Sequence, residues 1–535
     1  MSDTTSMSAT PSARMPNGIP FIVVNEFAER FCYYGILSIL VVYLVQKMHF
    51  GEAQATAWAS YFKAGAYFFP MLGAVISDVF WGKFRTVILF SLAYCVGCVV
   101  LAFGRDPSMI EVGLFLIAFG TGGIKPCVAT NVGDQFTSVN QHLIERAFSW
   151  FYLAVNAGSI ISIALCPWLL DAYGPTVAFG IPGVMMFVAT IVFWLGRSRF
   201  AVVPPAGAAW IEEAFSRQGL ALIGRLLCIY VFIAFFWMLW DQSNGTTWVL
   251  QARSALMDKE LVHGFTLLPA QIQDVNAFFI LALTPFFSYV VYPFVNRFTK
   301  VTPLRKIGAG LFITASSFLI IAWIESRIQA GHVVSMWWQV LAYAVLTCGE
   351  ILVSITGLEY SYKQAPLKVK SFIMALFLLA VTVGNVATGI VNQVMVRPLQ
   401  ASAVDVGSET WLHVANAPDL VPGQKIDFAD SGIQVVGAEG KTEPLEGTFL
   451  VKAVDAAGGR VQLADAVTRD AIQTSGAFDA AKANVSTYAL VGPAYFMFFF
   501  WVMVGGAVVF IVVAMLVRET TYVRSDSDGK EPAPA

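Results

Sequence analysis

Charged residues are scarce in this chain of 535 residues, since Asp, Glu, Lys and Arg together make up 13% of it. Soluble domains usually contain about 25%, so a soluble globular fold is excluded. The chain has no basic tract and a formal net charge of −2, which excludes nucleic-acid binding as a primary role. The seven cysteines all lie in apolar segments, so a disulfide scaffold is also excluded. No hydrolase triad, zinc-ligand spacing or phosphate loop is present, and we expect neither catalytic residues nor a metal site.

Apolar runs long enough to cross a bilayer recur along almost the whole chain, which is 57% hydrophobic. A spanning helix needs about 20 such residues. The pattern predicts an all-α integral membrane protein with 12 transmembrane helices. These helices are predicted over 19–45, 53–78, 85–104, 109–132, 145–170, 176–196, 220–250, 271–297, 304–324, 333–361, 368–396 and 488–518.

The predicted helices fall into two groups of six. The string Asp78-Val-Phe-Trp-Gly82-Lys83 follows the second helix, and Asn296-Arg297 with Arg305-Lys306 stands at the equivalent place in the second half. Such an internal repeat indicates that the two six-helix halves arose by duplication. Most Lys and Arg of the short loops lie on the side of the N-terminus, so both termini are expected in the cytoplasm. The predicted divisions are a disordered N-terminus 1–18, a first bundle 19–196, a linker 197–219, a second bundle 220–396 and 488–518, and a tail 519–535.

One long polar stretch, residues 397–487, separates the last two predicted helices and lies outside by this topology. Segments such as Thr448-Phe-Leu-Val-Lys452, punctuated by Gly440, Gly458 and Gly459, favour short strands and turns. We predict a small β-rich extracytoplasmic insertion. The alternative is a disordered spacer, because its apolar content is modest.

Ionisable residues within the predicted helices are the strongest functional signal. A charge at the bilayer centre costs on the order of 2.5–3.5 kcal/mol, so such residues normally face a cavity and one another. Glu26, Glu29 and Arg30 lie at i, i+3 and i+4 of the first helix, with Tyr33 and Tyr34 one turn further. The alternative for the Glu29–Arg30 pair is a neutral contact that only holds two helices together.

Four further ions lie alone in their helices, and each needs a partner from elsewhere. Lys125 follows a glycine-rich string that allows close helix approach, although it could also snorkel to the interface. Asp241 and Glu350 need a cation or a proton, as a proton-coupling group would. Lys63 could either snorkel outward or enter the cavity.

Four strings of this sequence, in the same order, resemble the signatures of the proton-dependent oligopeptide transporter (POT/PTR) family of the major facilitator superfamily. The strings are Asn25-Glu26-Phe-Ala-Glu29-Arg30-Phe31-Cys-Tyr33-Tyr34-Gly35, Leu72-Gly73-Ala74-Val-Ile-Ser-Asp78-Val-Phe-Trp-Gly82-Lys83-Phe-Arg85, Gly120-Thr-Gly-Gly-Ile-Lys125-Pro126 with Gly133-Asp134-Gln135-Phe136, and Phe151-Tyr152-Leu-Ala-Val-Asn156-Ala-Gly158-Ser159. The resemblance covers 19–396 and 488–518 and implies a major facilitator fold of two six-helix lobes.

The resemblance also implies roles for individual residues. Arg30 and Lys125 would bind the carboxylate of a peptide, and Glu350 would bind its α-amino group. Asn156 and Asn276 would bind backbone amides, and Tyr34, Tyr67 and Trp237 would line side-chain pockets. Glu26, Glu29, Arg30 and Asp241 would couple transport to protons, with no cofactor other than this coupling ion.

The function expected from this resemblance is proton-coupled import of dipeptides and tripeptides by alternating access. We expect a monomer in a lipid bilayer, at the plasma membrane or a bacterial inner membrane. One alternative is another solute on the same scaffold, such as nitrate or a modified amino acid. A second alternative is a receptor or assembly protein that uses residues 397–487.

The sequence departs from the family pattern at the outer gate. Family members often have Glu where Asp241 stands, and an Arg where this chain has Leu37. The second-helix histidine of animal members falls at Ser60, which gives no support to a histidine relay. Lys63 is therefore a candidate partner for Asp241.

Overall fold

The computed structural model describes residues 14–136, 140, 143–201, 216–364, 370–415, 417–436 and 442–516. In this part of the chain, 12 helices are long and apolar enough to span a membrane, which confirms the predicted all-α bundle. The predicted N-terminus up to residue 13, the centre of the linker (202–215) and the tail 519–535 lie outside the described residues. Spans 1 to 12 are Ile19–Lys47, Glu52–Trp81, Lys83–Phe103, Pro107–Asp134, Arg146–Tyr173, Pro175–Ser198, Gly219–Ala252, Pro269–Val295, Pro303–Gln329, Trp337–Ser361, Ile373–Val394 and Pro493–Leu516.

The spans form two lobes, each with its own apolar core. Spans 1–6, the N-lobe, pack around residues such as Ile36, Phe90 and Tyr94. Spans 7–12, the C-lobe, pack around residues such as Phe318 and Phe499. Span 2 packs against span 11 across the lobes, and span 5 packs against the start of span 8. The resulting interface between the lobes contains the predicted site residues.

Two irregularities in the C-lobe helices expose groups that matter for the site. The α-helix of span 7 ends at Ser243, and a new helical segment starts at Thr247. Gly245, with φ of +80°, permits this break because it has no Cβ. In span 10 the α-helix ends at Glu350 and continues as a π-helix over Ile351–Ile355. Such π segments widen a helix locally and are frequent at functional sites.

The stretch between spans 11 and 12 folds as a β-rich insertion, as predicted, so the alternative of a disordered spacer is wrong. Its main sheet has seven antiparallel strands in the order β5-β14-β8-β11-β12-β7-β6, and a second sheet has the order β10-β9-β13. Buried apolar residues such as Leu412, Ile426 and Leu463 form its core. Strands β1–β4 lie in loops of the C-lobe. The strands β1 to β14 are Met257–Asp258, Glu260–Val262, Phe265–Thr266, Val334–Ser335, Val396–Pro398, Ala401–Asp405, Trp411–Val414, Lys425–Ala429, Ile433–Val436, Thr442–Pro444, Gly447–Asp455, Arg460–Asp465, Thr474–Gly476 and Asn484–Tyr488.

We call strands β5–β14 the insertion domain, and the end of the bundle on which it lies the outer face. The opposite end, where span 1 begins, is the inner face. At the outer face, spans 1 and 5 contact the short 3₁₀ helix Pro269–Gln273 that opens span 8. These contacts bring the two lobes together on the outer side.

Candidate functional site

The charged cluster of span 1 is a closed set of ion pairs. Arg30 Nε lies 2.7 Å from Glu26 Oε1, and Arg30 Nη2 lies 2.7 Å from Glu29 Oε2. Thr121 of span 4 donates its hydroxyl proton to Glu29 Oε1 at 2.6 Å. All three charged side chains are buried, so the single positive charge of the guanidinium is shared by two carboxyl groups that would be costly to bury alone.

Gly158 of span 5 determines how closely span 1 can approach. A Cβ on Gly158 would lie 2.6 Å from the carbonyl oxygen of Phe27 and 3.2 Å from Arg30 Cβ. Only a residue without a side chain fits between the two helix backbones there. The glycine therefore determines the position of Arg30 relative to span 5.

We expect the substitution Gly158→Ala to lower the free energy of unfolding by about 1–3 kcal/mol, because an added methyl group must push span 1 away. The midpoint of thermal unfolding in detergent measures this change. Gly180→Ala in span 6 is the matched control, since its Cβ would have no neighbour within 4 Å. That variant should gain about 0.5–1 kcal/mol from its helix propensity. Equal effects of the two substitutions would contradict the close approach at Gly158.

Lys125 points into the bundle and does not snorkel. Its ammonium lies 4.2 Å from the centroid of the Tyr33 ring and 4.4 Å from that of Tyr67. Among the described residues, Lys125 Nζ has no hydrogen-bond partner although it is buried. Cation–π contacts stabilise the ammonium only partly, and its N–H donors are available to a bound anion.

Asp241 pairs with Lys63, so the alternative of a snorkelling Lys63 is wrong. The Lys63 ammonium forms an ion pair with the Asp241 carboxylate, and the two side chains are 2% and 0% exposed. Lys63 Nζ also donates to the carbonyl oxygens of Asp241 at 3.0 Å and Asn244 at 2.7 Å, both at the break in span 7. Ser60 donates to Asp241 Oδ2 at 2.6 Å. These contacts join span 2 of the N-lobe to span 7 of the C-lobe.

Glu350 lies on the opposite side of the lobe interface from Arg30. One of its carboxylate oxygens, Oε2, accepts from Trp240 Nε1 at 3.0 Å and from Asn276 Nδ2 at 2.9 Å. Asn276 also donates to Thr347 Oγ1 at 3.0 Å. Two donors orient the carboxylate at the point where span 10 changes to a π-helix.

The tyrosines predicted for the pocket lie beside the N-lobe cations. The Tyr67 ring contacts the Lys125 ammonium, and Tyr34 packs edge-on against Tyr33 with ring centroids 5.3 Å apart. Trp237 packs edge-on against Trp240, with ring centroids 5.2 Å apart. The structure thus brings the N-lobe cations, the C-lobe carboxylate and these aromatic rings together at one interface.

Asn156 is oriented differently from a simple ligand-binding amide. Its Nδ2 donates to the carbonyl oxygen of Tyr152 in its own helix at 2.8 Å. This bond fixes the amide nitrogen towards span 5. The carbonyl oxygen Oδ1 and the second N–H of the amide are then available to a ligand.

Sequence reasoning missed three residues that hold the charges in place: Ser60, Thr121 and Trp240. A signal for each was present. Thr121 lies inside the glycine string before Lys125, and Ser60 precedes Lys63 by three residues, which places both on one helix face. Trp240 follows Trp237 at the same spacing, but only the tertiary structure shows that it reaches Glu350.

Twelve spanning helices form two lobes, with Arg30 and Lys125 on the N-lobe side of the interface and Glu350 on the C-lobe side. This arrangement defines a multi-pass membrane protein of the major facilitator type. A model of the POT family matches residues 84–223 and 210–412. Since these ranges cover more than half of the chain, the protein belongs to the POT family, as its sequence motifs predicted.

Individual relatives agree with this assignment. Peptide transporter family 1 of Drosophila melanogaster is 36% identical over 366 residues, which are 60% of this chain and 49% of that protein. Solute carrier family 15 member 2 of Homo sapiens is 35% identical over 364 residues, which are 59% of this chain and 49% of that protein. The chain spans about half the length of the curated relatives it matches.

Solved structures extend the likeness to the fold. The POT family transporter PepTSo is 34% identical with a TM-score of 0.65, and the match covers 71% of this chain and 90% of that one. An auto inhibited POT family peptide transporter is 28% identical with a TM-score of 0.72, covering 95% of this chain and 99% of that one. A proton dependent oligopeptide (POT) family transporter is 36% identical with a TM-score of 0.60, covering 70% and 91%.

Proposed function

We propose that the protein is a proton-coupled symporter that imports dipeptides and tripeptides by alternating access. The observation that carries this proposal is the separation of charge across the lobe interface. Arg30 and Lys125 belong to the N-lobe, and Glu350 belongs to the C-lobe. A zwitterionic peptide has a carboxylate and an ammonium group at a nearly fixed distance and complements this dipole. The names of the similar proteins, which are peptide transporters, support the same substrate class.

Proton coupling follows from the closed ion pairs around Arg30. While Glu29 is charged, it occupies one edge of the guanidinium. Protonation of Glu29 removes that competitor and frees this edge of the guanidinium for the substrate carboxylate, while Glu26 still holds Nε. One proton moving down ~100 mV and one pH unit supplies about 2.3 and 1.4 kcal/mol, enough for an accumulation of about several hundred-fold.

Alternating access requires that the outer face open and close, and Lys63–Asp241 is the closing contact. The pair joins spans 2 and 7 below the outer face. In the proposed cycle it breaks when the lobes rock apart on the outer side. The insertion domain then faces the outside, and both termini lie in the cytoplasm of a cell whose plasma or inner membrane holds the monomer.

Two other functions fit the fold less well. A nitrate carrier would use the cations but has no need of Glu350, which two donors hold in place. A receptor that used only the insertion domain would have no use for the buried ions, whose insertion is costly. A modified amino acid remains compatible with the dipole, so substrate size has to be tested.

Uptake of labelled dialanine into proteoliposomes tests the proposal. We expect accumulation with an inward proton gradient and none without it. Glu29→Gln should abolish gradient-driven accumulation because the side chain can no longer change its charge. Glu111→Gln, at an exposed glutamate of span 4, is the matched control and should accumulate dialanine like the unmodified protein.

The same assay separates the alternatives. Accumulation of a modified amino acid in place of dialanine would overturn the peptide substrate. Equal uptake with and without the gradient would overturn proton coupling. Unchanged coupling in Glu29→Gln would move the coupling site away from span 1.

A further inference from the structure

The insertion domain is fixed to the C-lobe. Its two ends continue directly into spans 11 and 12, and Ala489 N donates to Met395 O at 2.8 Å where they meet. A third attachment is the backbone bond from Ala255 N, after span 7, to Val467 O at 2.9 Å. The domain therefore moves with the C-lobe.

The same domain also contacts the N-lobe, at the first turn of span 2. The first N–H groups of a helix have no partner within the helix. Here Glu52 N donates to Thr448 Oγ1 at 2.8 Å, and Ala53 N donates to the Tyr488 hydroxyl at 2.9 Å. The Lys425 ammonium forms an ion pair with the Glu52 carboxylate. Three side chains of the insertion domain thus bind the start of one N-lobe helix.

Asp427 orients the two hydroxyl groups for this contact. Thr448 Oγ1 donates to Asp427 Oδ1 at 2.5 Å, and the Tyr488 hydroxyl donates to Asp427 Oδ2 at 2.9 Å. Since both hydroxyl protons are used by Asp427, the oxygen lone pairs accept from span 2. The Cα of Gly51 packs against the Asp427 carboxylate and leaves no space for a Cβ.

We propose that the insertion domain is a latch between the lobes, which holds the outer face closed by docking on span 2. Span 2 also carries Ser60 and Lys63, which bind Asp241 of span 7. Opening of the outer face separates the lobes, so it breaks the contacts of Lys425, Thr448 and Tyr488 with span 2. Release of the domain is then a step of each opening. This inference rests on the proposed alternating access.

The latch responds to pH through Asp427. Burial raises the pKa of Asp427 to about 6, and the hydrogen bonds from Thr448 and Tyr488 oppose this rise. When Oδ2 is protonated, Oδ1 can still accept from both hydroxyls, because Tyr488 lies 3.1 Å from it. Release of the domain removes the packing of Gly51 against Asp427 and exposes the carboxyl group to water, which lowers its pKa, so the docked state binds the proton more tightly. Docking therefore strengthens as pH falls through about 6.

The other ionisable groups around Asp427 are Glu52 of span 2, Lys425 of β8, Tyr488 of β14, and His49, Asp430 and Glu446 around the adjoining cavity.

Labelling of a cysteine under the latch measures its opening without any substrate. Thr56 of span 2 is 1% exposed beneath the docked domain, and Thr56→Cys provides the site for a membrane-impermeant maleimide in the full-length protein. Lys425→Glu places two carboxylates together and should raise the labelling rate about tenfold. Glu52→Lys added to Lys425→Glu restores the pair with reversed charges and should return the rate to the starting value. Thr448→Val, which removes one hydroxyl at constant size, should raise the rate to a smaller extent.

The results can overturn the latch independently of the transport assay. If Lys425→Glu and Thr448→Val both label at the starting rate, the domain does not hold the outer face closed. If the reversed pair labels as fast as Lys425→Glu alone, the Glu52–Lys425 contact is not the cause. Failure of dialanine uptake would leave these rates unaffected, so the two proposals fail separately.

A second variant tests the pH dependence. Asp427→Asn resembles the protonated carboxyl and should keep the latch docked at every pH. We divide the labelling rate of Thr56→Cys by the rate of the double variant Thr56→Cys with Asp427→Asn at the same pH. The division removes the pH dependence of the reaction between thiol and maleimide. This ratio should be well above one at pH 7.5 and fall to about one at pH 5. A ratio that does not change with pH would overturn the role of Asp427.

Discussion

Replacing Lys63 with methionine should abolish transport and lower the free energy of unfolding by about 3–5 kcal/mol. The reason is that Asp241 would keep a buried charge with no cation beside it, and removing one partner of a buried pair costs that much. Lys63 also donates to two carbonyl oxygens at the break in span 7, and these two hydrogen bonds would be lost. Thermal unfolding in detergent and dialanine uptake in proteoliposomes measure the two effects.

The double substitution Lys63→Met with Asp241→Asn shows whether the lower stability comes from an unpaired buried charge or from a lost packing contact. Since it removes both charges, it should recover most of the lost stability but not transport, because the closing contact would stay weak. Lys47→Met, at an exposed lysine at the end of span 1, should change stability by less than about 1 kcal/mol. An unfolding midpoint of Lys63→Met close to that of Lys47→Met would show that the pair is not needed for stability.

Glu350→Gln should reduce dialanine uptake on the order of 100-fold. The amide keeps the size of the side chain but loses the negative charge that faces the α-ammonium group, and a buried contact between charged groups contributes about 2–5 kcal/mol. Uptake rates of the variant and the unmodified protein, measured over a range of dialanine concentrations, test this expectation.

A substrate without the amino group is the matched control for this prediction. Des-amino dialanine has no ammonium for Glu350, so the unmodified protein should transport it poorly and Glu350→Gln should transport it no worse. If Glu350→Gln reduced the transport of both compounds equally, the carboxylate would act on the protein and not on the substrate. The hydrogen bonds of Glu350 with Trp240 and Asn276 would then account for the effect on transport.

Much of the fold was predictable because its causes are local. A run of about 20 apolar residues is enough to specify a spanning helix, and all 12 were found in this way. Short segments such as Thr448–Lys452, punctuated by glycines, indicated strands in 397–487 for a similar reason. The cluster of Glu26, Glu29 and Arg30 was predictable too, since residues three and four apart on a helix must meet.

The partners of isolated ions were not predictable in this way. Asp241 and Lys63 are 178 residues apart in sequence, and helical spacing does not connect them. Lys63 became a candidate partner only because the family's usual Arg is replaced by Leu37, and the structure confirms the pair. The π-helix after Glu350 and the break after Ser243 depend equally on packing. Two carbonyl oxygens at the break in span 7 accept hydrogen bonds from Lys63.

The sequence alone thus determined which segments cross the membrane, which family they resemble and which ions lie within them, because hydropathy and helical spacing act over one or a few turns. The tertiary structure alone decided which ions pair across the lobes and where the insertion domain docks. Those contacts join segments such as Glu52 and Lys425, 373 residues apart, which only the packed lobes bring together.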